Sequence, residues 1–327
     1  MGSNHAEAFR EVNPDQTRVV DSAKVWTTLI TNTDYLPGLL ALDYSLKRAA
    51  SKYPLIALYT DAFPEAGHRA LDARGIPKKH IPYLLPNSHK DYTNDPRFYD
   101  CWSKLAPFSL VEYERVVQLD SDMLVVKNMD ELMDLELDPA EMEGKGHRVF
   151  AASHACVCNP MKKSHYPADW IPANCAFTTQ HSDPERAQTE GASPTAGLGM
   201  PNGGLQVVNP SVAIYSLILQ ALRSTSTEKY DFADQSLLSD LFHGRWVALP
   251  YIYNALKTMR WKGLHDGIWR DECLKNVHYL LSPKPWEESR EVREGPRDER
   301  AEINRWWWEI NEARWKGERA RGIDDGF

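Results

Sequence analysis

The chain has 327 residues, 42% of them hydrophobic, with 38 basic against 46 acidic side chains and a net charge of −8. That is enough apolar material for one large domain or two small ones, and the mild acidity argues against a general nucleic-acid or anionic-membrane partner. Five cysteines are too few for a disulfide scaffold, no run reaches transmembrane length, and the opening "MGSNHAEAFREV" lacks a signal peptide's apolar core, so a cytoplasmic location is expected.

Residues 1–22 are polar and are expected to form a flexible lead-in. "VWTTLIT" (25–31) has the β-rich composition and length of a strand. In the following "LPGLLALDYSLKRAASKY", Leu39, Leu42 and Leu46 fall on one helical face. "PLIALYT" reads as a second strand, a charged helix follows, and "IPKKHIPYLL" supplies a short third strand. "CWSKLAPFSLVEY" predicts a helix in which Pro107 is tolerable only near an end or a kink. "RVVQL" is the fourth strand. Strands alternating with helices in this rhythm predict right-handed βαβ units and a mostly parallel sheet.

The fourth strand runs into "DSD", Asp120 and Asp122 separated by Ser121. Like charges so close each raise the cost of ionising the other. A solvated turn capping the next helix is one reading. A phosphatase-type Asp-x-Asp is a second, but it wants Thr or Val two residues on, where Leu124 stands. The third is a clamp for Mn²⁺ or Mg²⁺, whose charge removes the repulsion and bridges a diphosphate. The pair lies at the carboxyl end of a predicted strand, where open α/β sheets bind ligands. "NVHYLLSPKPW" (276–286) offers a further metal ligand in His278 and a compact phosphate-binding charge in Lys284.

Beyond residue 138 the rhythm breaks, and "QHSDPERAQTEGASPTAGLGMPNGG" is a long Gly-, Pro- and Ser-rich loop of the kind that is functional or disordered. "GLQVVN" resumes a strand, "PSVAIYSLILQALR" and "DQSLLSDLF" are helices, and "NVHYLL" is a late strand. The end carries a charged helix with four tryptophans. Three of these are consecutive and cannot share one face, so two are expected to pack and one to be exposed. Cys156, Cys158 and Cys175, with His154 and His165 nearby, are read as structural thiols rather than zinc ligands, because Cys-x-Cys departs from the usual Cys-x₂-Cys knuckle.

Taken together and in order, these segments resemble the family 8 retaining glycosyltransferases, from about Val25 to Trp286. "TLITNTDYLPGLLALDYSLK" looks like the family's nucleotide-binding opening, which implies that Leu29, Thr31, Asn32 and Tyr35 hold uracil and ribose. "SKL" with "VVQLDSD" matches its lysine helix and Asp-x-Asp strand, placing Lys104, Asp120, Ser121 and Asp122. "PNGGLQVVNPS" places Asn202 and Gly203 near the donor sugar. "YDFADQSLL" places Asp231, Asp234 and Gln235 there, and "HYLLSPKPW" adds His278 and Lys284.

The resemblance implies a GT-A-type, Rossmann-like, mostly parallel α/β domain over 23–290 with a C-terminal helical extension over 291–327. It implies Mn²⁺ (or Mg²⁺) on Asp120, Asp122 and His278, and UDP-hexose as donor. Lys104, Lys284, Asp234 and Gln235 then act on the reacting sugar and leaving diphosphate. The Cys-x-Cys, a Met-x-Trp pattern at Met259–Trp261 and Trp307, Trp308 and Ile310 are similar to the galactinol synthase branch. That branch implies a small polyol acceptor such as myo-inositol. The alternatives are a glycogenin-like glucosyltransferase acting on protein or glucan, a UDP-sugar-binding protein and a hydrolase. No tyrosine lies between Tyr253 and His278, where glycogenin carries its acceptor, so self-glucosylation there is not expected.

Overall fold

The computed structural model describes residues 9–10, 19–224, 227–296 and 302–327. Of the expected lead-in, residues 1–8 and 11–18 lie outside the described residues. Phe9–Arg10 pairs antiparallel with Val19–Val20.

Seven strands form the main sheet: β1 (Lys24–Ile30), β2 (Leu55–Tyr59), β3 (Lys78–His80), β4 (Arg115–Leu119), β6 (Phe150–Ala152), β7 (Leu205–Val208) and β8 (Val247–Ala248). Their order across the sheet is β8-β6-β7-β4-β1-β2-β3. The first four strands are parallel, as their βαβ connections require. Strand β7 is antiparallel to both β4 and β6, so the sheet is mixed but mostly parallel. The β4 residues Val116, Val117 and Leu119 are all fully buried, because a central strand covered on both faces needs a continuous apolar run.

A second, three-stranded sheet sets β5 (Met123–Val125) antiparallel to β10 (Asn276–His278), which pairs parallel with β9 (Ala255–Leu256). Helix α1 (Leu36–Arg48) follows β1, and α2 (Glu65–Ala73) follows β2. The segment expected as one helix around Pro107 is α3 (Arg97–Cys101) continued as a 3₁₀ turn, Trp102–Ser109. The tighter turn admits the proline near its end, as it lacks an amide to donate. Helices α4 (Val212–Ser224) and α5 (Ala233–Leu241) follow β7.

The C-terminal helix α6 (Asn304–Arg319) is packed onto this body. Trp307 and Trp308 are buried as expected, but Trp306 is half-buried rather than exposed and packs against the same apolar cluster. Arg74, at the end of α2, makes a two-pronged contact with Glu318 (3.0 and 2.9 Å) and reaches Asp325 at 2.7 Å. Arg314 joins the same Glu318 carboxylate at 2.7 Å. The charges are nearly buried but mutually paired, which such burial demands. The 180–200 loop lies on the body, with Ala187 fully buried and Gln188 bonded to Tyr251 at 2.7 Å.

Candidate active site

Backbone register brings the site together. Strand β4 ends at Leu119, and the Asp120 amide donates to the Gly204 carbonyl at 2.8 Å, which sets the Gly203–Gly204 turn beside the first carboxylate. On the other side His278 pairs with Met123, and the Tyr279 amide donates to the Asp122 carbonyl at 2.8 Å. Residues more than 150 positions apart in sequence are thereby fixed by ladder hydrogen bonds rather than by side-chain contacts alone. Close approach explains two glycines. A Cβ on Gly203 would stand 2.4 Å from the Asp234 carboxylate, and one on Gly38 would stand 2.4 Å from the Ser121 carbonyl.

One oxygen each from Asp120 and Asp122 and a nitrogen of His278 lie within 4.8 Å of one another. The His278 Nε2 is 3.3 Å from Asp122 and 3.7 Å from Asp120. Its tautomer follows from a chain of amides. The Gly204 amide donates to Asn202 Oδ1 (3.0 Å), and Asn254 Nδ2 donates to the same oxygen (2.8 Å). Asn254 Oδ1 therefore faces His278 Nδ1 at 2.9 Å and accepts its proton. Nε2 is thereby turned toward the carboxylates. Two hard carboxylate oxygens, an imidazole nitrogen and a fixed outer partner suit Mn²⁺ or Mg²⁺.

Each carboxylate also has a lysine. Lys104 Nζ is 2.7–2.8 Å from Asp120. Lys284 contacts Asp122, donates to the Tyr279 carbonyl at 2.9 Å and sits 5.5 Å from the Tyr35 ring centroid. Lys284 is only 1% exposed. Burial opposes ionisation of Asp122, yet Lys284 and His278 hold its carboxyl well below the usual range. Burial likewise works against the Lys104 charge, and Asp120 overcomes it. Among the described residues Asp234 has no such close cation. Burial pushes its carboxyl up to about 7; Lys104 pulls it down and Asp120 pushes it up.

These groups line a cleft of ≈ 240 Å³. Leu29, Thr31, Asn32 and Tyr35 from the β1–α1 end, Lys104, Asp120, Ser121, Asp122, Asn202, Gly203, Asp234, Gln235, His278 and Lys284 all border it. The Ser121 hydroxyl points inward to the Leu29 carbonyl (2.9 Å), so this residue ties the turn to β1. The Gln235 carbonyl accepts from the Gly203 amide at 3.2 Å. Asp231, expected near the donor sugar, does not border the cleft but pairs with Lys90.

Sequence reasoning missed several walls. Arg97, Phe98 and Asp100 come from α3, and Asn159, Met161, Tyr166 and Trp170 come from the aperiodic stretch after β6. The contiguity of "RFYDCWSK" with Lys104 was a usable signal for the first group; no periodic signal exists for the second. Asn254, which bonds His278 Nδ1, carried no local signal either.

Comparison with known proteins places the chain in a family. The family model described as Glycosyl transferase family 8 matches residues 27–290. Galactinol synthase 7 of Arabidopsis thaliana is 27% identical over 289 residues, covering 87% of this chain and 80% of the relative. Galactinol synthase 2 of Solanum lycopersicum is 28% identical over 292 residues, 88% of this chain and 80% of the relative. Among solved structures, the galactosyltransferase LgtC, crystallised with donor and acceptor sugar analogues, aligns with a TM-score of 0.54 at 16% identity, over 90% of this chain and 100% of that one. The glycosyltransferase GlyE of Streptococcus pneumoniae aligns with a TM-score of 0.54 at 16% identity, over 92% of this chain and 65% of its own length. These last two share the GT-A-like fold. The chain belongs to glycosyltransferase family 8, the retaining UDP-hexose transferases.

Proposed function

We propose that this protein transfers galactose or glucose from a UDP-sugar to a hydroxyl of a small polyol such as myo-inositol, in the manner of a galactinol synthase. The observation that carries it is the convergence of Asp120, Asp122, His278 and Lys284 at one place in a cleft that Asp234 and Gln235 also border. The similarity to galactinol synthases supports the polyol. The body over 23–290 would form the transferase domain and 291–327 its helical extension, in a cytoplasmic enzyme. Among the described residues no helix is long and apolar enough to cross a membrane.

Asp120, Asp122 and His278 would hold Mn²⁺, or Mg²⁺, which when bound supplies Lewis-acid stabilisation to the departing diphosphate. Lys284 is buried beside Asp122 and is aimed where leaving-group charge grows, so it favours the transition state over the ground state. Tyr35, with Thr31 and Asn32 on the same wall, would receive the uridine. The Tyr35 hydroxyl accepts from Arg97 at 3.0 Å and its ring meets Trp286 edge-on at 5.9 Å, which fixes the ring. Asp234, with Lys104 and Asn202, would orient the sugar hydroxyls near the reacting carbon.

The test is a screen of UDP-galactose and UDP-glucose against polyols with Mn²⁺, read by UDP release, product mass and anomeric NMR coupling. The expected result is acceptor-stimulated UDP release with an α-linked hexosyl polyol. Release that no acceptor stimulates would make the protein a hydrolase. A ladder of hexose additions on the intact protein would make it glycogenin-like.

A further inference from the structure

Three cysteines and a histidine meet in a second cluster, distinct from the carboxylates and touching the same cleft at Cys156. Cys156 and Cys158 follow β6, Cys175 precedes a 3₁₀ turn (Ala176–Gln180), and His265 arrives from the segment between β9 and β10. The Nε2 of His265 is 3.4 Å from Cys156 Sγ, 3.3 Å from Cys158 Sγ and 3.4 Å from Cys175 Sγ. One ligand atom from each of the four lies within 4.8 Å of all the others. Cys158, Cys175 and His265 are buried, at 7%, 0% and 1% exposure, and Cys156 is partly buried. All three cysteines are free thiols.

A single sulfur–imidazole contact is an ordinary weak hydrogen bond. Three thiols converging on one ring nitrogen are not, because one nitrogen cannot serve three donors or acceptors at once. The distances match the edges of a tetrahedron instead. With Zn–S near 2.3 Å and Zn–N near 2.0–2.1 Å, a tetrahedral site has sulfur–nitrogen edges of about 3.5 Å. The second ring nitrogen is also accounted for. His265 Nδ1 meets His181 Nε2 at 2.9 Å, an outer contact that turns Nε2 toward the thiols, as metal-bound histidines require.

We propose that Cys156, Cys158, Cys175 and His265 bind one structural Zn²⁺. Three soft sulfurs and an imidazole select zinc over the hard ions suited to Asp120 and Asp122. All four positions are filled by the protein, which leaves none for substrate, so the site is closed and structural. Its place in the fold gives it a purpose. The stretch after β6 has almost no regular backbone pairing, and it supplies Asn159, Met161, Tyr166 and Trp170 to one wall of the cleft. The ion would staple that wall to the segment leading to β10, and with it to the His278 side of the site. The Cys-x-Cys spacing is no obstacle, since the remaining ligands come from 17 and about 107 residues further on.

The test uses tag-free, full-length protein purified with reductant and without chelator. Elemental analysis should give one zinc per chain that survives dialysis and is released when the thiols are mercurated. Cys158→Ser and His265→Asn should lose the zinc, while Asp122→Asn should keep it. That contrast separates this site from the carboxylate clamp and from the assigned reaction. Where the variants fold poorly, wild type grown or reconstituted with Co²⁺ decides: the intense visible bands of a tetrahedral thiolate site, with a thiolate-to-metal transition in the near ultraviolet, are expected. A disulfide between any two of the three cysteines would overturn the proposal. So would reduced protein that takes up no zinc from excess metal, or a cobalt spectrum of octahedral type.

Discussion

Asp120, Asp122 and His278 are delivered by strand ends, and an ammonium already stands beside each carboxylate. Cys156, Cys158, Cys175 and His265 come from segments with little regular structure, and their polar contacts run among themselves and on to His181. The first cluster opens on a cleft and has hard oxygen donors whose charge lysines share. The second is soft, and it touches that cleft at Cys156. A binding site that must take and release a diphosphate benefits from cations that compensate its charge between turnovers. A staple has no such need. The comparison therefore predicts two independent groups of ligands, one exchangeable and tuned, the other permanent.

The largest effect should come from breaking the exchangeable one. Asp122→Asn removes a charged oxygen donor, and the Mn²⁺-dependent gain in UDP affinity should largely disappear. A Lewis-acid contribution of several kcal/mol corresponds to a loss of activity of about 10³-fold. Titration calorimetry of UDP with and without Mn²⁺ checks it, and thermal unfolding checks that the unpaired Lys284 has not undone the fold. Equal UDP affinity in wild type with and without Mn²⁺ would remove the clamp from this account. Lys284→Ala comes next. It should lower kcat by about 10²–10³-fold, with a smaller change in donor KM, since its charge matters most as the leaving group departs. Lys284→Arg should recover only part, because a planar fork replaces a point charge poorly in the loop between Pro283 and Pro285. A kcat within about threefold of wild type is under about 0.7 kcal/mol of barrier, and the role of this lysine would then be withdrawn.

The same contrast explains what the sequence made legible. The strands β1, β2 and β4 and the helix α1 are long enough, and apolar in the right period, to be read directly. Asp120 and Asp122 could be placed because they end such a strand. His278 and Lys284 could be placed by their short common segment, although their approach to Asp122 depends on a β5–β10 pairing that no local pattern announces. The antiparallel insertion of β7 was equally hidden, because an apolar run such as "LQVV" has no direction. The pairing of Asp231 with Lys90, 141 positions away, was likewise announced by no local pattern. The thiol cluster was least legible. Its histidine comes from the far side of β9, and His154 and His165, which lie nearer in sequence, are elsewhere. His154 Nε2 donates to the Ser193 carbonyl at 3.0 Å and its ring meets Trp246 edge-on, and His165 is exposed.

A smaller effect should follow from the amide chain behind the clamp. Asn254→Leu keeps the side-chain size but leaves His278 Nδ1 without its acceptor. The imidazole is then free to place its proton on Nε2. Loss of an outer partner of this kind costs about 10–100-fold in metal affinity. Mn²⁺ binding followed by electron paramagnetic resonance should show that weakening. The zinc content should be unchanged if the two ligand groups are independent, and a parallel loss of zinc would merge them.

The smallest effect concerns the carboxylate with no close cation. Burial raises Asp234 to about 7 in the folded chain, against 3.8 for the ordinary group. A carboxyl raised in this way binds more protons folded than unfolded. Its contribution to stability is complete below about pH 4 and is lost as pH rises toward 7. Between pH 5 and 6 it is almost fully protonated in the folded state and almost fully ionised in the unfolded one. The wild type should therefore lose about 1.4 kcal/mol per pH unit from this group alone. Asp234→Asn lacks the titration, so its stability should fall less over the same interval, while groups common to both proteins cancel. Urea unfolding of the metal-free forms at pH 5 and pH 6 measures the difference. A wild type and variant that change in parallel would mean that Asp234 is ionised in the cleft, with Lys104 shared between it and Asp120. The uneven supply of cations to the three carboxylates would then be no part of how the site works.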